Sequence, residues 1–182
     1  TKAGAEAANF PFCTIEPNVG VVEVPDHRIY DLAAMFKPKK TTPAFTRFVD
    51  IAGLVAGASK GEGLGNQFLS HIRETDAIAH VVRCFEDGNI THVEGSIDPV
   101  RDMDIINTEL CLADRESVDK KKTKTAKLAQ AGIKQAKADL PVLEKVYDAL
   151  QNGTPARALT LSEDDLEVLK ELNLITLKPV LY

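Results

Sequence analysis

Apolar residues change their spacing twice along the chain. In VGVVEV (Val19 to Val24) they run almost unbroken, which predicts a short strand. In PDHRIYDLAAMFKP they recur at threes and fours. Ile29, Leu32, Ala33 and Phe36 then share one helical face, with Pro25 and Asp26 at its start and Pro38 as its stop. AFTRFVD returns to a period of two, with Phe45 and Val49 on the same side as Arg47. AIAHVVRCF (Ala77 to Phe85) is near-continuous, as expected of a central strand covered on both faces. Strands alternating with helices imply an α/β sheet with mostly parallel strands.

From Asp98 to Gly153 the pattern becomes helical. Leu128, Ile133, Ala136, Leu140, Leu143, Val146 and Leu150 form one stripe, and Ile105, Leu112 and Val118 a sparser one upstream. Two antiparallel helices turning near Ala131-Gly132 fit this better than one very long helix. Pro141 is expected to interrupt the second helix, with Asp139 capping a fresh start, because proline removes a backbone donor. In SEDDLEVLKEL, Ser162 should cap a further helix whose first turn is acidic. The last stretch, LKPVLY, reads as the beginning of a buried strand, and TKAGAEAANFPF opens without methionine as the end of a helix running into a loop. Both ends lead to the expectation of a piece cut from a longer chain. The implied division is a core over 1–97, a helical hairpin over 98–153, and a return to the core over 154–182.

Composition narrows the class. A chain of 182 residues, 44% hydrophobic and 27% charged, can bury the core of an ordinary globular domain. A net charge of -5 argues against whole-surface attraction to nucleic acid. Cys13, Cys84 and Cys111 are odd in number and in no metal-ligand spacing, favouring a reducing, cytoplasmic setting. No apolar run approaches the roughly 20 residues of a membrane helix, so no membrane partner is expected.

The chemistry concentrates in FVDIAGLVAGASKGEGLGNQF, Phe48 to Phe68. A strand ending in Asp50-Ile51-Ala52-Gly53 is the arrangement that P-loop nucleotide hydrolases use for their second motif. The carboxylate there reaches Mg²⁺, commonly through water, because a hard dication takes oxygen ligands. Gly53 has no side chain to keep its backbone N–H from a terminal phosphate. The spacing alone is weak, and a strand-to-turn aspartate is the plain alternative. Upstream, NFPFCTIEPNVG holds Thr14 in a loop before the first strand. A hydroxyl there can complete a magnesium shell when the terminal phosphate is present. The order loop, strand, helix, strand, aspartate makes the pair stronger than either motif.

NFPFCTIEPN, FVDIAGLVAGASKGEGLGNQFL, IRETDAI, HVVRCFE, NTEL and LAD together resemble the YchF-type Obg-like ATPases among the Obg-related P-loop hydrolases. The resemblance runs from Thr1 to Tyr182. It implies a Ras-like, Obg-type P-loop NTPase with a three-layer α/β core interrupted by a helical, coiled-coil hairpin. It also implies ATP as substrate in preference to GTP, Mg²⁺ as cofactor, and association with ribosomes in translation and stress responses. Carried over by position, Thr14 and Asp50 are the magnesium ligands and Gly53 the phosphate-sensing glycine. Leu54 stands where many signalling GTPases place a water-orienting glutamine, and leucine cannot orient water. His92, in the glycine-flanked loop EDGNITHVEGS, is the catalytic candidate, with a surface histidine on a loop tip as the alternative. Without it, water positioning falls to the backbone, to K⁺ or to the ribosome. His71 and His80 read as packing or hydrogen-bonded residues, and His27 as solvated.

No GxxxxGK(S/T) occurs in the chain, and the resemblance places that phosphate cradle before Thr1 and the base-reading motif after Tyr182. Alone, the chain is therefore expected to be inactive. Two classes of function remain: an ATP-hydrolysing switch, with an Obg-type GTPase as its variant, or a non-catalytic module docking on the ribosome or RNA. For the latter, Lys120, Lys121, Lys122, Lys124 and Lys127 put five lysines in eight residues, enough to contact phosphates, although such a run is commonly a solvated helix face.

Overall fold

The computed structural model describes residues 18–51, 64–90, 92 and 95–182, with only the backbone for 64–67. Its contacts divide the chain into two compact units, Thr1–Gly53 and Leu54–Tyr182.

In the first unit, β1 (Asn18–Glu23), α1 (Arg28–Phe36) and β2 (Phe45–Asp50) follow the predicted order. Arg28 folds back on Asp26 at the start of α1, with Nη2 to Oδ2 at 2.6 Å. Lys37, at φ 43°, ends the helix in the left-handed region by donating to the carbonyl of Ala33. The strands pair antiparallel, with Asn18 opposite Asp50 and Glu23 opposite Phe45. The expectation of mainly parallel strands does not hold for this pair. Val24 N–H donates to Ala44 O at 2.8 Å, so the excursion through α1 begins and ends at the same place. The second strand can then only run back along the first.

The second unit contains α2 (Leu64–Arg73), β3 (Ile78–Ala79), α3 (Pro99–Gln130), α4 (Lys134–Gln151), α5 (Glu163–Leu169) and β4 (Val180–Leu181). Helix α3 rises about 48 Å at 1.5 Å per residue. Asp98 caps it by accepting from Arg101 N–H at 3.1 Å, and Pro99 takes the first position, where no donor is needed. The turn to α4 falls where the sequence places it. Gly132, at φ 90°, supplies a conformation that a side chain would strain.

The core lies between the two helices and the segment that follows them. Cys111, Val118, Leu143, Val146, Leu150, Ala156, Leu169 and Leu174 are all buried there. On α3 the buried stripe is Cys111, Asp114 and Val118, whereas Ile105 and Leu112 are only half-buried. Leu128 and Ile133, at the hairpin tip, are exposed.

Three expectations are corrected. Helix α4 continues through Pro141 with no fresh start, and Asp139 accepts from the Gln135 amide at 2.8 Å instead of capping. Pro141 lies on the exposed face, where the carbonyl it leaves without a partner can meet water, and Ala136 and Leu143 are anchored on either side of it. The strand expected over Ala77–Phe85 shrinks to Ile78–Ala79, paired parallel with Val180–Leu181. Its only partner among the described residues offers two residues, so Val81, 93% exposed, leaves the ladder. In β4 Val180 is half-buried and Leu181 exposed, where a buried strand was expected. The Ser162 cap is present as expected, in a reciprocal box with Asp165.

Candidate functional site

Asp50 is the last residue of β2 and its carboxylate is exposed. The register that sets it opposite Asn18 brings the entrance to β1 and the exit from β2 to one end of the two-stranded sheet. Thr14 and Gly53 lie outside the described residues. They stand four positions before Asn18 and three after Asp50 in the sequence. Asp50 offers oxygen donors in an open, polar position, which suits a hard cation that retains most of its own water. Among the described residues no three His, Cys, Asp or Glu side chains converge as a metal cage.

His92 belongs to the second unit and is partly buried. Its Nε2 lies 2.9 Å from Asp102 Oδ2, and the two side chains are 18% and 19% exposed. Asp102 sits in the first turn of α3. Its other oxygen receives Arg101 Nη2 at 3.0 Å and Nε at 3.2 Å. Arg101 is braced in turn by Ser96, donating to its carbonyl at 2.6 Å and its hydroxyl at 2.9 Å. Gly95, at φ 71°, closes the loop by donating to His92 O at 3.1 Å. Asp50 and His92 thus fall in different compact units, each with its own local order.

Of the other histidines, His80 packs its ring on Tyr182, and burial holds its pKa below the ordinary value. His27 is exposed at the start of α1 and makes no side-chain cap.

The lysine run is largely committed within the chain. Lys120 meets Glu116 at 2.6 Å, Lys121 pairs with Glu171, and Lys122 meets Asp119 at 3.4 Å. Lys122 also lies 3.2 Å over the Tyr147 ring. The hydrogen bonds from Lys120 and Lys121 hold the carboxyls of Glu116 and Glu171 below the usual range. Lys124 and Lys127 are the exposed members nearer the hairpin tip.

Sequence reasoning missed Asp114, a fully buried carboxylate. It receives Arg73 Nη1 at 3.0 Å, the backbone N–H of Ile175 at 3.1 Å, and both the N–H and hydroxyl of Thr176 at 2.7 Å. One acid therefore ties α2, α3 and the turn at Ile175 together. The available signal was an aspartate three residues after Cys111 and four before Val118, on the apolar stripe of α3.

These alternating strands and helices, with an acid at a strand end, have the make-up of a P-loop GTPase-type α/β domain, and the family model for 50S ribosome-binding GTPases matches residues 1–145. The chain belongs to that family. Within it the similarity is to YchF proteins, as the motifs imply. The "Ribosome-binding ATPase YchF" of Shigella flexneri is 57% identical and that of Bacillus subtilis 54% identical, each over 100% of this chain and 50% of the relative. The solved YchF GTPase of Schizosaccharomyces pombe superposes with a TM-score of 0.74 at 44% identity, covering 96% of this chain and 48% of that one. The chain spans about half the length of the curated relatives it matches.

Proposed function

We propose that the chain carries the switch residues of a ribosome-associated, magnesium-dependent ATPase acting in the cytoplasm as a molecular switch. The reading is carried by the antiparallel register that sets Asp50 opposite Asn18, so that the segments holding Thr14 and Gly53 adjoin one end of the sheet in sequence. The curated relatives' names favour ATP over GTP and name the ribosome as partner.

Thr14 and Asp50 would hold Mg²⁺, which offsets the charge developing on the terminal phosphates. Asp50, exposed at its strand end, accepts hydrogen bonds from the cation's water shell without a buried charge to stabilise. Gly53 presents a backbone N–H to the terminal phosphate and reports its departure. Leu54 contributes no polar atom. His92 hydrogen-bonds the attacking water and keeps it in line. The core over 1–97 and 154–182 is interrupted by the hairpin 98–153, whose exposed Lys124 and Lys127 offer phosphate contacts to ribosomal RNA. Having no GxxxxGK(S/T), the 182-residue chain alone does not turn over nucleotide.

The test is Asp50→Ala in the complete protein, assayed with ATP and with GTP. Magnesium-dependent ATP hydrolysis should fall on the order of 10²-fold, the cost of misplacing a reacting group by about 1 Å. Unchanged turnover would make Asp50 a structural residue, and faster GTP than ATP hydrolysis in the parent would reverse the nucleotide preference.

A further inference from the structure

We propose that Asp102 is a positioning residue for His92, setting which imidazole nitrogen carries the proton and anchoring the ring to the first turn of α3. The inference rests on the reading of His92 as the water-orienting group. It deepens that reading by naming the residue through which the hairpin helix acts on it.

A carboxylate only accepts, so the 2.9 Å contact requires the proton to sit on Nε2. The ring is thereby held in one orientation, with its Nε2 proton directed at Asp102. A histidine whose ring can rotate and exchange tautomers presents the right atom only part of the time. The contact is also well supported. Asp102 Oδ1 is occupied by two nitrogens of Arg101, which leaves Oδ2 directed at the histidine. Arg101 is held by two bonds to Ser96, and its backbone N–H by Asp98. Both partners of the His92–Asp102 pair are about four-fifths shielded from water, so the bond competes little with solvent. A surface ion pair would be worth little and would fix nothing. Here the acid belongs to a helix of 32 residues, so a displacement at the base of the hairpin carries the imidazole with it.

The experiment is a double-mutant cycle in the complete protein with His92→Ala, Asp102→Ala and both together, accompanied by ¹⁵N NMR of the imidazole without nucleotide. Asp102→Asn, of the same shape, covers the case in which the alanine variant does not fold. Asp102→Ala should lower kcat for ATP about tenfold, the lower end for loss of a group that orients a ligand, with KM within about twofold. In the His92→Ala background the same change should cost nothing further. The wild-type ring should show the Nε2-protonated tautomer, and Asp102→Ala should release it to a mixture. Asp102→Asn should fall between, since its amide oxygen can still accept. A further loss in the His92→Ala background, or a ring whose tautomer does not respond to Asp102, would overturn the inference. His92→Ala with a large loss and Asp102→Ala with full kcat would overturn it alone. Undiminished turnover in His92→Ala would remove the water-orienting reading as well.

Discussion

The strands from Asn18 to Asp50 and the hairpin from Pro99 to Gln151 treat their apolar side chains in opposite ways. In the first region none of the described residues is buried, and Val21 and Phe48 are more than half exposed. In the second, Val118, Leu143 and Val146 are shut off from water altogether. The strand pair is ordered by its backbone ladder, and such a ribbon is marginal by itself in water. The hairpin is ordered by side chains that close on one another and on the segment after it. The carboxylate roles diverge accordingly. Asp50, at an open strand end, is available to a ligand, whereas Asp114 spends all its acceptor capacity on the chain itself.

The sharpest way to break this contrast is Asp114→Ala. It leaves Arg73 without its buried partner and Ile175 and Thr176 with donors facing an apolar core. We expect a loss of about 3–5 kcal/mol in urea denaturation, the usual result of removing one member of a buried pair. A loss below about 1 kcal/mol would mean that water replaces the carboxylate and the site is not dry.

Cys111 probes the same core through pH. Burial, helped by the Asp114 carboxylate and opposed by Arg157, pushes its thiol from 9.0 up to about 11. The folded state therefore holds the neutral thiol where the unfolded chain has already ionised. Its contribution to stability is complete below pH 9 and is lost as pH rises from 9 towards 11. The difference between wild type and Cys111→Ala should show that slope. At pH 8 an alkylating reagent should modify the exposed Cys84 and spare Cys111.

Lys124→Glu with Lys127→Glu tests the hairpin surface without disturbing the paired lysines. If these two contact ribosomal phosphates, sedimentation with ribosomes should weaken severalfold, with a shallower dependence on salt and unchanged basal ATPase. Reversing Lys120, Lys121 and Lys122 would be less informative, because each would then face Glu116, Glu171 or Asp119. The smallest expected effect is that of Asp50→Ala on stability. An exposed carboxylate at a strand end should change it by no more than about 0.5 kcal/mol, and a larger shift would make Asp50 part of the framework.

What the sequence determined by itself was what neighbours along the chain decide. The stripe of Leu143, Val146 and Leu150, the glycine turn at Gly132 and the Ser162 cap all act within a few residues. The order of strand, helix, strand and aspartate, with the motifs around Thr14, Asp50 and Gly53, likewise pointed to the family. Tertiary structure alone decided the rest. The run Ala77–Phe85 has strand composition, yet among the described residues it pairs only at Ile78–Ala79, with Val180 and Leu181 about a hundred positions away. Asp114 closes the LAD motif, yet its role emerges only when Arg73, Ile175 and Thr176 arrive from 41 to 62 residues away. Pro141 is tolerated because packing on either side outweighs one lost bond, and the lysine run is quieted in part by Glu171 and Tyr147. Periodicity and caps are short-range physics and can be read in order. Burial and charge pairing depend on which distant residues come to share a volume, and no local pattern specifies that.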